Sequence, residues 1–145
     1  MERPGEAIER LHAVRRLLQQ CNAAACARHG LSQTEAAVLL YLYNNPGRDS
    51  ASDIVAYRNL PKANVSKAVD ALTRRGLLSR ETDGADRRRT HLRLTRTAQQ
   101  ALPALIAAQE RFFSLLFAGF TEEERAMYAA MNARIAENAK RKFQE

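Results

Sequence analysis

The side chains of this chain that could do chemistry are mainly arginines and lysines, concentrated in one segment. Between Arg58 and Arg96 lie eleven of the 23 basic residues and four of the 16 acidic ones, which leaves twelve of each elsewhere. The whole formal charge of +7 therefore lies in this segment. Charge localised in this way favours binding of a polyanion over a general effect on solubility.

Catalytic and metal-binding chemistry is weakly supported. No nucleophile–base pair, phosphate-cradling glycine loop or acidic metal cluster stands out, so we do not expect an enzyme. The histidines also lack the spacing of metal ligands, and they are His12, His29 and His91. We therefore expect neither a metal nor a cofactor.

The bulk properties suit a small intracellular protein. A length of 145 residues allows one domain with a core, or a small domain with an oligomerisation element. No apolar run approaches the roughly 18 residues that a membrane helix needs. Because residues 1–6 lack the apolar segment of a secretory signal, we expect a cytoplasmic protein.

Apolar spacing and capping residues predict a mainly helical chain with one small hairpin. Helices are predicted over about 6–28, from the Ser32 capping box to Asn44, from the Ser50 cap through Tyr57, from Pro61 to Gly76, over about 97–118, and from the Thr121 capping box onward. Strands are predicted at 77–81 and 90–95 around a turn at 82–86. Two short helices, a tight turn and a following hairpin indicate a winged helix-turn-helix.

The helix that begins at Pro61 has one face suited to reading DNA. Opposite the inward stripe of Val65, Ala68, Val69 and Leu72, the helix carries Lys62, Ala63, Asn64, Ser66, Lys67, Asp70, Arg74 and Arg75. Asn64 could read adenine and Lys67 guanine, whereas Lys62, Arg74 and Arg75 suit phosphates. Asp70 has two interpretations: an acceptor for cytosine, or an ion pair with Arg74.

The predicted hairpin tip carries the run Asp86, Arg87, Arg88 and Arg89. Arginines suit a narrow minor groove because negative potential is concentrated there. An acid beside them would be unfavourable at a DNA surface unless it orients a guanidinium. We therefore predict that Asp86 holds an arginine side chain, that of Arg88 in particular.

The terminal helices predict self-association. They carry more apolar side chains than so small a DNA-binding lobe could cover, namely Phe112, Phe113, Leu116, Phe117, Phe120, Met127, Met131 and Ile135. The predicted organisation is an N-terminal dimerisation helix at 1–30, a DNA-binding lobe at 31–96 and C-terminal dimerisation helices at 97–145. An alternative is a winged-helix module that binds proteins, although such a module would not need the eleven bases.

The stretch 31–95 resembles the MarR family of bacterial transcriptional regulators, and the resemblance extends through both flanking helical regions. It is carried by LSQTE at 31–35, VSKAVDAL at 65–72, RGLL at 75–78, DRRR at 86–89 and LRLT at 92–95. The resemblance implies a homodimeric DNA-binding regulator, commonly a ligand- or stress-responsive repressor, on a pseudo-palindromic operator. It places recognition positions at Asn64 and Lys67 and a minor-groove arginine at Arg87 or Arg88.

The effector stays open. Family members often bind a small aromatic ligand between the DNA-binding lobe and the dimer helices, and one branch senses peroxides through a cysteine of the N-terminal helix. Cys21 and Cys26 lie on that helix, roughly 7.5 Å apart along its axis, which is too far for a bridge. Small semi-buried residues or a redox thiol are the alternatives. Similarly, the tyrosines suit either a pocket or the core, and they are Tyr41, Tyr43 and Tyr57.

Overall fold

The computed structural model describes residues 1–142 and confirms a mainly helical chain with one antiparallel hairpin, the wing. Its elements are α1 (Pro4–His29), α2 (Gln33–Asn44), α3 (Ala51–Arg58), α4 (Lys62–Arg74), β1 (Leu78–Thr82), β2 (Thr90–Leu94), α5 (Ala98–Leu116) and α6 (Glu122–Lys142). The last three residues of the predicted C-terminal segment, 143–145, lie outside the described residues. No helix within 1–142 is both long and apolar enough to cross a membrane.

The predicted helix starts are confirmed by hydrogen bonds. The Ser32, Ser50 and Thr121 hydroxyls each accept from the main-chain N–H three residues on, at 3.0–3.1 Å. In each case the acidic side chain at that third position accepts from the N–H of the capping residue. Gly30 ends α1 with a left-handed φ of 60°, a conformation that glycine adopts without steric cost.

The start of α4 differs from the prediction by one residue. Pro61 has φ −57° and ψ 134°, so it is the capping residue and Lys62 is the first helical one. Asn59, with φ 49°, ends α3 in the left-handed region that asparagine tolerates better than most residues. The turn between the two helices therefore consists of Asn59, Leu60 and Pro61.

Residues 1–112 form one compact unit, whose core is built where the helices meet. Its largest fully buried side chains include Leu39 of α2, Ile54 of α3, Leu72 of α4 and Leu102 of α5. The inward stripe predicted for α4 is confirmed: its four members Val65, Ala68, Val69 and Leu72 are at most 5% exposed. Burial of this stripe fixes which face of α4 points outward.

From Phe113 onward the chain forms a second unit. In this unit Phe117 makes edge-on contacts to Phe120 and Tyr128 at ring-centroid distances of 5.7 and 5.4 Å. The Arg125 guanidinium lies 4.9 Å from the centre of the same ring, as in a cation–π contact. Phe112, which we expected at a dimer interface, is instead a buried residue of the first unit.

Arg75 has a structural position that the sequence did not predict. Its guanidinium donates to the main-chain oxygens of His29 and Gly30, both at 2.7 Å, and lies 3.7 Å from the Glu35 carboxylate. Carbonyls at the end of a helix have no partner within the helix, so Arg75 caps α1 from 45 residues away. The structure thus gives Arg75 an intramolecular role, and its expected phosphate contact stays a prediction.

We predict that Arg75→Ala lowers the free energy of unfolding by about 1 kcal/mol, because the carbonyls at the end of α1 lose two hydrogen bonds. Arg74→Ala is the matched control: the neighbouring arginine forms no ion pair with residues 1–142, so its change should stay within about 0.5 kcal/mol. Urea denaturation followed by circular dichroism measures both. Equal losses in the two variants would contradict the capping role.

Candidate nucleic-acid interface

The outward face of α4 carries the residues predicted for it. Lys62, Ala63, Asn64, Ser66, Lys67 and Arg74 are all exposed. Ala63 and Ser66 are small, so the helix backbone can approach a surface closely, while Asn64 and Lys67 offer donors between them. This combination is what a helix needs to enter a major groove and reach base edges.

Asp70, the acid on this face, is paired with a residue of the wing. Its carboxylate accepts from the Arg80 guanidinium of β1 at 2.5 Å. The proposed i+4 pair with Arg74 is therefore wrong, because a strand residue packed beside the helix takes its place. The pair neutralises the acid and leaves Arg74 available to another partner.

The wing tip is shaped by aspartate side chains that accept main-chain hydrogen bonds. Asp83 Oδ1 accepts from the N–H groups of Ala85 at 2.7 Å and Asp86 at 3.0 Å. These two bonds, and then a bond from His91, lower the pKa of Asp83 to about 2. A carboxylate that bonds to its own backbone in this way fixes a turn.

Asp86 braces the wing, but by a different contact from the one predicted. Its carboxylate accepts from the main-chain N–H of Arg88 at 3.0 Å, and its carbonyl accepts from the N–H of Arg89 at 3.0 Å. Among residues 1–142 no guanidinium pairs with Asp86. The physical reason is local geometry: a carboxylate reaches the N–H two residues on more easily than it reaches a long, solvated side chain.

Arg89 ties the wing to α3. Its guanidinium lies 3.2 Å from the Asp53 carboxylate, which also caps α3 through the N–H of Ser50. Of the three arginines in the turn of the wing, Arg87 and Arg88 form no ion pair with residues 1–142. A cleft of about 520 Å³ between α3, α4 and the wing is lined by Ser66 and Asp70 on one side and by Arg88 and Arg89 on the other.

Internal ion pairs divide the basic segment into two groups. Four of its eleven bases form ion pairs within the protein, namely Arg75, Arg80, Arg89 and Arg93. The other seven form no ion pair with residues 1–142, and they are Arg58, Lys62, Lys67, Arg74, Arg87, Arg88 and Arg96. The charge that remains available therefore includes the predicted positions on α4 and at the wing tip.

The sequence prediction missed a charged cluster at the base of the wing. His91 lies between two carboxylates, with Nδ1 2.5 Å from Asp49 and Nε2 2.7 Å from Asp83. Asp49 is buried, and its second oxygen accepts from Arg93 at 2.6 Å. Alternation along β2 places His91 and Arg93 on one face, which was the available signal. Nothing in the sequence pointed to Asp49, 42 residues before His91.

Of the cysteines and tyrosines singled out above, Cys26 and Tyr41 are buried, whereas Tyr43 and Tyr57 are exposed. Cys21 and Cys26 are both free thiols of α1. Cys26 is buried, and burial raises the pKa of its thiol, which disfavours the reactive thiolate form. Tyr41 is in the core, with its ring centre 5.2 Å from that of Tyr57.

Comparisons with known proteins agree with this geometry. A family model described as MarR family matches residues 29–89. The HTH-type transcriptional regulator YdgJ of Bacillus subtilis is 29% identical over 75% of this chain, and the match spans 66% of YdgJ. Curated relatives are thus matched over about two thirds of their length.

Solved structures match over nearly the whole chain. The crystal structure of MarR is 27% identical, with a TM-score of 0.68 over 96% of this chain and 99% of that one. A Bordetella bronchiseptica structure, BpsR, whose DNA binding is regulated by 6-hydroxynicotinic acid, has a TM-score of 0.71 at 23% identity over 93% and 94% of the two chains. With the wing and the two short helices in place, residues 29–89 match the MarR family, and the chain has the winged helix-turn-helix fold of regulators from that family.

Proposed function

We propose that this protein is a transcriptional regulator that binds specific duplex DNA through α4 and the wing. The observation that carries the proposal is which bases form internal ion pairs and which do not. The lobe uses four of its bases to hold itself together and leaves Lys67 and Arg74 on α4, and Arg87 and Arg88 on the wing, without an acidic partner among residues 1–142. Unpaired bases on a groove-sized helix and on an adjacent hairpin suit a phosphate backbone.

The parts of this surface have separate tasks in the proposal. Asn64 and Lys67 contact base edges in the major groove, because both project from the exposed face near the start of α4. Lys62 and Arg74 contact phosphates on either side and fix the register of the helix. Arg87 and Arg88 enter the adjacent minor groove, on a turn held in shape by Asp83 and Asp86.

The proposal includes a homodimer on a pseudo-palindromic operator. On α1 the apolar side chains Ile8, Leu11 and Val14 are 36–69% exposed, at the spacing of one helix face. On α6 Met127, Tyr128, Met131 and Ile135 are 48–64% exposed. Apolar faces of this extent favour burial against a second copy, and two copies would present two α4 helices to successive major grooves.

Repression and its release by a small molecule are the finer part of the proposal. The regulation of BpsR by 6-hydroxynicotinic acid supports a small aromatic effector for a protein of the same fold. A dimer seated on an operator blocks other proteins from that DNA, which supports repression over activation. Screening aromatic acids for release of the bound operator tests this part, and the DNA upstream of its own gene is the first duplex to use.

Substitutions on α4 should separate base reading from phosphate binding. We predict that Lys67→Ala relaxes discrimination against single-base changes in the operator by about 1–3 kcal/mol at one position. Arg74→Ala should weaken specific and nonspecific duplexes alike and reduce the slope of log affinity against log salt by about 1. Fluorescence anisotropy across a salt series measures both.

The control for these variants is Lys140→Ala, which removes one positive charge from the exposed end of α6. It should change neither the discrimination nor the salt slope if the binding surface is local. Unchanged binding in both α4 variants would show that α4 is not the reading element. Equal effects in all three would point to net charge alone.

The dimer is tested on α1. We predict a dimer by sedimentation at micromolar concentration, and dissociation in Leu11→Glu, because a carboxylate in an apolar interface has no partner. Ala13→Glu adds the same charge on the opposite side of the helix, where it is exposed, and should leave the dimer intact. A wild-type monomer would contradict binding to two half-sites.

A further inference from the structure

His91 joins two segments that are far apart in sequence. Asp49 belongs to the loop before α3, whereas Asp83 belongs to the turn of the wing, and the imidazole lies between them with contacts of 2.5 and 2.7 Å. The loop and the wing are also joined by a backbone hydrogen bond from Leu92 N–H to the Asp49 carbonyl at 2.8 Å. His91 is thus the side-chain link between the wing turn and the buried Asp49 of the lobe.

Both of these contacts require the charged form of the ring. A neutral imidazole has one N–H, so one of its nitrogens would present a lone pair to a carboxylate oxygen at hydrogen-bond distance. The imidazolium form donates to both carboxylates at once. Accordingly the bonds to Asp49, and then those to Asp83, raise the pKa of His91 above its ordinary value of about 6.5.

The charged groups around His91 come from each neighbouring element. The loop before α3 supplies Asp49, the wing turn supplies Asp83, β1 supplies Glu81, and β2 supplies Arg93. Arg93 pairs with both Asp49 and Glu81, at 2.6 and 3.2 Å. The cluster thus holds three carboxylates and one guanidinium, which pairs with two of them, and the imidazolium supplies a second positive charge.

The same cluster connects to the wing tip. While Oδ2 of Asp83 faces His91, Oδ1 accepts the N–H groups of Ala85 and Asp86. Asp86 in turn accepts the N–H of Arg88. Loss of the His91 proton would therefore weaken the anchor of the carboxylate that orders the turn carrying Arg87 and Arg88.

We propose that His91 is a positioning residue for DNA binding: as an imidazolium it clamps the wing to the loop before α3, and its deprotonation releases the wing tip. The inference rests on the proposed function for its effect on DNA, although the clamp itself does not need DNA. Because the protonated form is the clamped one, the effect is fully present at low pH and is lost as the pH rises through the folded-state pKa of His91.

The clamp can be measured in the free protein. We expect the ring nitrogen shifts to show both nitrogens protonated on the acid side of the titration, and the titration to lie above the ordinary value for histidine. Amide-exchange protection factors for Ala85 and Asp86 should fall over the same pH range. In His91→Arg, whose guanidinium keeps two donors and a fixed charge, they should stay constant, and in His91→Gln they should be low throughout.

DNA binding gives the second measurement, with the duplex upstream of the protein's own gene as the probe. Wild-type affinity should fall about tenfold between about pH 6 and pH 9, the size expected when one charge-assisted hydrogen bond is lost. His91→Arg should retain affinity without the pH step, and His91→Gln should bind weakly at both ends. His12→Gln is the matched control, since it removes an exposed histidine of α1 and should keep the step.

The outcomes separate the two proposals. A pH step that persists in His91→Arg, or protection factors that do not follow the His91 titration, would overturn the clamp while leaving DNA binding in place. Protection factors that change with pH while the affinity for DNA does not would also overturn the positioning role. Absence of duplex binding by the wild type at every pH would instead overturn the proposed function.

Discussion

The burial of one stripe of α4 is the constraint on which the candidate interface depends. Val65, Ala68, Val69 and Leu72 pack into the core, and a helix that buries one side must expose the other. The exposed side then holds Asn64, Lys67 and Arg74 in fixed relative positions at helical spacing. A loop with the same residues would have to lose conformational entropy on binding, whereas α4 is already ordered by its packing.

The second constraint is electrostatic. A lobe with a net charge of +7 in one segment would repel itself, and acidic partners placed inside the lobe reduce that repulsion. Asp70, Asp53 and Asp49 pair with arginines of β1, the wing and β2, and each pair joins two elements. The acids thus hold the wing against the loop and the helices that carry them. Solvent exposure of these pairs limits the stability that each contributes. Their main effect is therefore to fix the position of the wing relative to the helices.

The local signals in the sequence were sufficient for the elements. Capping boxes at Ser32, Ser50 and Thr121 and the apolar period of α4 predicted helix starts and faces, because each depends on residues within one or two turns. Pro61 was misplaced by one position, since its φ suits both the cap and the first helical residue. The hairpin was predicted from the alternation of apolar and polar residues along its strands and from the turn residues Asp83 and Gly84.

Contacts between distant residues were beyond the sequence. Arg75 looked like Arg74, its neighbour, and only the position of the α1 terminus shows that Arg75 is a cap, while Arg74 forms no ion pair with residues 1–142. Asp70 paired with a strand rather than with its own helix. His91 was one of three scattered histidines until folding brought Asp49 beside it. In each case the deciding partner is set by tertiary packing, which helix and strand periods do not encode.

The most direct measurement of DNA recognition by this charged surface is the affinity of the intact protein for duplex DNA as a function of salt. With about six to ten phosphates contacted, affinity should fall roughly 10³- to 10⁵-fold between about 50 and 200 mM salt, linearly on a double-logarithmic plot. A specific duplex should remain tighter than an unrelated one throughout the series. Binding that does not change with salt, or no duplex binding at low salt, would contradict a DNA-binding role for α4 and the wing.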